Sequence, residues 1–420
     1  MSKVILVDFG ASRIKSVLID TYTNIVIDTC SESSPSSLHQ MLDNKFEVPA
    51  VEYWNVFEST VNSLIIKHGP PEAIYICSEM HGFMLTKDGD PLTGYISWKD
   101  QRVKLDTVEQ YRDQFFQITG MKLRAGLPFV SLFDIRNRSV GPIRFNTLVD
   151  WILIKGGCSN PKSNITLAAS TGLVNTNSEW SIDLTKLSNQ DIQFNKITTD
   201  IKECLGYVLV NEHSIPVYGG IGDLQSAIFG AGLGVIVDAV LNLGTGSQVA
   251  CRYKPGTETR PDVNGAQISV ITHIPCGRAL NVLANFVNDI AGHNVFWDKW
   301  NAITPEQILS VEPTSNINFF ESAWKWNSQG GFISFTEERN TLDLILPEIA
   351  RTWVQQYVDA INQLDSNALC KNVGVIGGLA SKSPFIIQVL NTVDPTRIYN
   401  YVHSITGEET LDGLLKVANL

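Results

Sequence analysis

Apolar runs broken by glycine turns set the order of elements along the chain. Val4 to Asp8 is apolar and β-branched, Gly10-Ala11-Ser12 interrupts it, and Ile14 to Asp20 resumes the pattern. This predicts a strand, a turn and a second strand, with a third over Asn24 to Asp28. The same arrangement recurs as Ala239 to Leu243, a Gly244-Thr245-Gly246-Ser247 turn, and Gln248 to Tyr253. Two such units predict a duplicated architecture with two lobes. Between and after them, Val51 to Lys67 has helical spacing, Ala73 to Cys77 reads as a buried strand, and Ser31 to Ser37 reads as a surface loop. Leu344 to Leu364 predicts a long amphipathic helix carrying Ile345, Ile349, Trp353, Tyr357 and Ile361 on one side. Val373 to Ile376 predicts a buried strand that ends in Gly377-Gly378, followed by a helix over Pro384 to Leu390. Strands and helices mixed in this way imply α/β layers. A break near 213–219, where a proline precedes a glycine cluster, divides the chain into lobes 1–214 and 215–420.

Composition narrows the class. The 420 residues are 44% hydrophobic and 18% charged, enough apolar material for sizeable cores. A net charge of −11 argues against a general nucleic-acid binder, which needs clustered cations to displace counterions. The apolar start at Val4 is cut short by Asp8, and an uninterrupted apolar run of about twenty residues is absent, so neither a secretory leader nor a membrane span is expected. Seven scattered cysteines without a CxxC pair fit reduced thiols in a cytoplasmic protein.

Five segments could carry chemistry. Asp8-Phe9-Gly10-Ala11-Ser12-Arg13-Ile14-Lys15 places a carboxylate at a strand end before a turn whose amides could face phosphate oxygens. The plain alternative is a β-hairpin with polar turn residues. Gly219-Gly220-Ile221-Gly222-Asp223 would let another molecule approach the backbone and would set a general base in a cleft; alternatively Asp223 is a helix N-cap. Gly244-Thr245-Gly246-Ser247 suits a second phosphate cradle or a tight turn. Gly377-Gly378-Leu379-Ala380-Ser381 permits a flat ring to lie on the backbone, or is a strand-to-helix turn. Ser78-Glu79-Met80-His81-Gly82 with Trp98-Lys99-Asp100-Gln101-Arg102 has the aromatic and polar density of a sugar site, or of a partly buried Trp beside an ion-pair network. GxxxxGK[ST], GxGxxG and GxSxG are all absent, which removes P-loop, Rossmann and α/β-hydrolase readings.

The order of these segments, from the acidic glycine turn through MHG, WxDxR, GxGD and GTGS to the late GG, resembles the FGGY carbohydrate kinases of the actin-like ATPase fold over nearly the whole chain. Gly222-Asp223-Leu224-Gln225, Asp238-Ala239-Val240-Leu241-Asn242, Ala168-Ala169-Ser170-Thr171-Gly172 and Glu338-Arg339 look most like the sedoheptulokinase branch. The resemblance implies a two-lobed, ribonuclease H-like α/β fold, with duplicated mixed sheets, flanking helices and a cleft between lobes. It implies transfer of the γ-phosphate of ATP to a hydroxyl of a ketose such as sedoheptulose, xylulose or ribulose, with Mg²⁺. Asp223 would be the catalytic base, and Asp8 with Asp223 would stand on the metal side. Gly10, Ser12 and Lys15 would lie near the β- and γ-phosphates, with Gly244, Thr245 and Gly246 opposite. Gly377, Gly378 and Ser381 would border the nucleoside. Met80, His81, Trp98, Asp100 and Arg102 would face the sugar. Partners are expected to be the sugar and ATP, with neither nucleic acid nor membrane, in a monomer or homodimer. The alternatives are a degenerate sugar-binding sensor and a non-sugar actin-like ATPase.

The chain also departs from the family pattern. It is shorter than usual, lacks the Lys and Trp common in the first signature around Leu127 to Phe133, and is truncated in the second signature around Arg339 to Ile361. Gly413 stands where a GAA-like helix is expected, between Asp412 and Leu414.

Overall fold

The computed structural model describes residues 3–37, 44–135, 142–188, 191–319, 324 and 330–420. They form two compact units: Met1–Gly230 with Glu258–Gln267 and Ser404–Leu420, and Ala231–Thr257 with Ile268–His403.

The first unit is built on β1 (Lys3–Phe9), β2 (Arg13–Asp20), β3 (Ile25–Ser33), β4 (Ala73–Ser78), β5 (Gly206–Val210) and β6 (His213–Gly222), in the spatial order β5-β6-β4-β1-β2-β3. The first three strands pair antiparallel, whereas β4 runs parallel to β1 and β6 parallel to β4. Val4 to Val7 are buried because β1 lies inside the sheet and is covered on both faces, so it reads as a continuous apolar run. Helix α1 (Ala50–His68) covers one face with Tyr53, Phe57, Val61 and Leu64 at helical spacing, and Phe57 stacks on Phe9 at 6.0 Å. The expected loop at Ser31 to Ser37 is in part the end of β3, where Arg13 Nε donates to Ser31 Oγ at 3.1 Å. A serine-rich stretch serves as well as any on an outer strand that gains cross-strand bonds.

The segment 213–219, read from the sequence as a break between lobes, is the first part of β6. Its glycines serve the sheet. Gly219 and Gly220 have φ of +81° and +61°, at a bulge between Gly219 and Ile221 against β4. A side chain on Gly219 would meet Ile76 O at 2.9 Å, and one on Gly220 would meet Leu205 at 2.5 Å. The close approach is therefore made by the protein's own strands. Past the bulge the pairing resumes for Ile221–Cys77 and Gly222–Ser78 and then stops, where Asp223 starts helix α2 (Asp223–Ala231).

The second unit repeats the order. Strand β7 (Ala239–Asn242) pairs antiparallel with β8 (Ser247–Arg252), β8 antiparallel with β9 (Gln267–Ile274), β7 parallel with β10 (Asn372–Ile376), and β10 parallel with β11 (Ile398–Tyr401). Read as β9-β8-β7-β10-β11, this is the arrangement of β3-β2-β1-β4-β6 in the first unit. Helices α3 (Gly277–Ala291), α4 (Leu342–Leu364) and α5 (Ile386–Val393) complete its layers. Ile345, Ile349, Trp353, Tyr357 and Ile361 of α4 are buried, as the helical spacing predicts. Trp353 packs on Trp300 at 5.7 Å, and Tyr357 donates its hydroxyl to Ser247 Oγ at 3.0 Å. The chain then returns to the first unit as helix α6 (Glu409–Ala418). No helix among the described residues is long and apolar enough to cross a membrane.

Candidate active site

In the first unit, three strand ends converge on a group of carboxylates. Asp8, near the end of β1, lies beside Cys77 of β4 in parallel register, and its Oδ1 accepts the Cys77 thiol at 3.4 Å. Its Oδ2 accepts the Thr410 hydroxyl at 2.6 Å. The turn that follows is the hairpin of the plain alternative: Gly10 N donates to Arg13 O at 3.1 Å, and Ser34 closes over it through Gly10 O and Ser12 O. Ser12 is exposed at its tip, and Lys15 pairs with Glu408 at 3.3 Å.

Asp223 opens α2 and accepts the N–H of Leu224 at 2.8 Å. A capping side chain takes the amide two or three residues on, so the N-cap alternative does not describe it. Burial pushes its carboxyl up to about 7, and the neighbouring charge of Asp8, with that of Glu79, adds to the effect against the Leu224 amide. Asp8 is raised chiefly by burial as well, opposed by its bonds from Thr410 and Cys77.

Glu79, buried and likewise raised by burial, completes the group. It accepts Trp98 Nε1 at 3.0 Å and Ser97 Oγ at 3.3 Å. Trp98 thereby presents its ring with 41% of its surface exposed. Met80 packs against Gly222, where an added methyl would lie 2.7 Å from its sulfur. His81 sits at φ +63°, held by Ser170 through its own N–H and by Ser170 O at 2.6 Å from Nδ1.

Asp100 and Arg102 are arranged differently from the sugar-facing pair expected. Asp100 is fully buried and accepts from Phe46 N–H at 2.7 Å and from Arg102 Nε at 2.8 Å. The Arg102 side chain is 1% exposed and also binds Glu47 at 2.8 Å. The two bind each other and the Phe46–Glu47 segment, which ties the loop that carries Trp98 to that segment. A methyl on Gly126 would stand 2.2 Å from Trp98 O, so that loop is clamped from the other side too.

The second unit holds a cavity of about 750 Å³. Gly244, Thr245, Gly378 and Ser381 line it, as four of the expected nucleotide residues; Gly246 and Gly377 flank them in sequence. Gly377 has φ +103°, and a side chain there would strike the Leu243 backbone at 2.5 Å, so glycine is required where the two loops join. Those loops are tied by Leu379 N to Leu243 O at 3.0 Å, and Arg278 N donates to Thr245 O at 2.9 Å. Asn281, Trp297, Asn301 and Lys382 also line it. Lys382 directly follows the Gly377 to Ser381 segment; Asn281, Trp297 and Asn301 belong to no motif, and nothing in the sequence marks them. Glu79 was visible within the quoted segment, as an acidic residue at the end of a buried strand.

Similarity to known proteins bears on the fold and the family. The N-terminal domain of the FGGY family of carbohydrate kinases matches residues 3–230. A glycerol kinase of Mycoplasma mycoides is 27% identical over 258 residues, which cover 54% of this chain and 49% of the relative; the chain spans about half the length of the curated relatives it matches. A ligand-bound xylulose kinase structure from Lactobacillus acidophilus superposes with a TM-score of 0.81 at 18% identity, covering 100% of this chain and 92% of that one. A Plasmodium falciparum glycerol kinase solved with ADP gives 0.80 at 15% identity, covering 99% and 89%. At those identities the structures establish the fold, and with the sequence match over residues 3–230 the conclusion is that this chain belongs to the FGGY family of carbohydrate kinases.

Proposed function

We propose that the protein transfers the γ-phosphoryl group of ATP to a hydroxyl of a small sugar or polyol, with a ketose such as sedoheptulose, xylulose or ribulose as first choice. The observation that carries this reading is Asp223, a buried carboxyl pushed up to about 7 with Asp8 and Glu79 as charged neighbours, Glu79 in turn accepting the exposed Trp98 indole. A base poised near the working pH combines an ionised population with real proton affinity. In the reaction the substrate O–H gives its proton to Asp223 as its oxygen bonds to the γ-phosphorus. The bond from that phosphorus to the bridging oxygen breaks, and ADP leaves with the electron pair. Positioning and charge neutralisation supply most of the acceleration in such transfers.

Trp98 offers an apolar face for the C–H side of a sugar, Glu79, Met80 and His81 border the same place, and Asp100 with Arg102 hold the loop. The loop Gly244-Thr245-Gly246 and the Gly377-Gly378 to Ser381 turn are assigned to phosphates and nucleoside, and Gly10, Ser12 and Lys15 to the transferred end. Among the described residues no group of three His, Cys, Asp or Glu could hold a metal ion. Mg²⁺ would instead be carried on the nucleotide and met by one or two carboxylates, Asp8 with Asp223, since this ion keeps waters and phosphates as most of its ligands. When bound, it neutralises charge on the phosphates.

The test is ADP release from Mg-ATP across a panel of ketoses, polyols and aldoses. One acceptor raising the rate well above the sugar-free background is the expected result. ATP turnover indifferent to every acceptor would favour a non-sugar ATPase, and acceptor binding without turnover a sensor. The pH profile is a second check. Protonated Asp223 cannot accept the proton, so kcat/KM should rise with a midpoint near pH 7, the free-protein value, and level off above it. A profile flat across that range would remove Asp223 from the role of base.

A further inference from the structure

Thr410 reaches Asp8 across 402 positions of sequence. It is the second residue of α6, and its hydroxyl is given to Asp8 Oδ2 at 2.6 Å. The surroundings fix it from several directions. Its carbonyl accepts Ser226 Oγ at 2.6 Å, from the helix that Asp223 opens. Glu408, two residues before it, pairs with Lys15, the residue opposite Asp8 in the β1–β2 register. Gly413, within the next turn, lies so close to Ser226 that a methyl group would stand 2.0 Å from Ser226 O. Among the described residues the one other side chain that bonds to Asp8 is Cys77, through the weaker thiol contact at 3.4 Å.

We propose that Thr410 is a positioning residue for Asp8: its hydroxyl fixes the rotation of the Asp8 carboxylate, so that a metal–nucleotide complex meets one orientation of it. The inference rests on the reading of Asp8 as a carboxylate on the metal side. Packing alone would be served equally by valine, which has the shape of threonine without the hydroxyl, and this separates the two roles.

The experiment is calorimetric titration of ADP, with and without Mg²⁺, into the full-length wild type, Thr410→Val and Thr410→Ser, alongside thermal melting. Loss of a hydrogen bond to a charged group predicts Mg-ADP binding about tenfold weaker in Thr410→Val, with metal-free ADP unchanged and Thr410→Ser close to wild type. Equal weakening with and without Mg²⁺, or none at all, overturns the proposal. So does a wild type whose ADP affinity is indifferent to Mg²⁺. Should Thr410→Val melt well below the wild type, Thr410→Ser against Thr410→Ala decides by the same criterion. The readout needs no turnover. If the Mg²⁺-specific loss appears and no acceptor ever elicits ADP release, the role of Thr410 stands and the phosphoryl-transfer reading fails.

Discussion

Asp223→Asn is expected to lower acceptor-dependent ADP release by about 10²- to 10⁴-fold while leaving ADP binding intact, the range that general-base catalysis supplies. Asparagine keeps the size and the oxygen that accepts the Leu224 N–H, so α2 should start where it does now. What it removes is the charge and the proton affinity. Because Asp8 and Glu79 both push the Asp223 carboxyl upward, loss of that charge relieves like-charge repulsion in a buried place. The variant should therefore melt at or above the wild-type temperature above pH 7, where Asp223 would otherwise be ionised. A dead enzyme with undiminished stability and undiminished ADP affinity points to chemistry. Activity within tenfold of wild type would mean that another group takes the proton.

Gly413→Ala should be among the most damaging single methyl groups in the first unit. The new carbon would stand 2.0 Å from Ser226 O and 2.6 Å from Ser226 C, backbone atoms of α2 that no rotamer can move. From the other side, a methyl on Gly230 would meet Gly413 N at 2.9 Å. The two helices thus cross with their backbones in contact, and relief requires α6 to retreat by roughly an ångström, at a cost of about 1–3 kcal/mol or more. In a unit of this size that lowers Tm by several degrees. Activity should fall further than stability alone explains, since α6 carries Thr410 away from Asp8. Gly378→Ala is the control, because a methyl there meets no atom within 4 Å and should leave the melting temperature unchanged. If both substitutions melt like the wild type, the helix crossing is looser than described.

What could be read in advance was local. The β1 hairpin announced itself because an apolar run, a glycine turn and a second run are all contained in 20 residues, and α4 because its buried stripe repeats at helical spacing. Asp8, Asp223 and Thr245 could be singled out for the same reason: each sits at a strand end beside glycine. Contacts between distant segments left no such trace. Thr410 is one hydroxyl in an ordinary first helical turn until the fold sets it against Asp8. Asp100 and Arg102 show the opposite failure. Opposite charges two residues apart near a tryptophan look like sugar ligands, yet at that spacing they also satisfy each other, and burial makes that pairing the cheaper arrangement. The Gly219-Gly220 pair was ambiguous by nature, since a positive φ serves a bulge as readily as a ligand.

The return of α6 to the first unit bears on how the chain is made. Every strand of the two repeated sheets is complete by Tyr401. A nascent chain halted just before Ser404 would hold both sheets and the second-unit cavity, but neither Thr410 nor the helix that seals α2. The first unit is accordingly closed by a helix made after the second unit's sheet, against the usual domain-by-domain order of synthesis. Contacts so distant in sequence also make that closure slow. Until then, the α6-facing sides of α2 and β1 have no cover, and Mg-ADP binding should appear only after α6 has emerged.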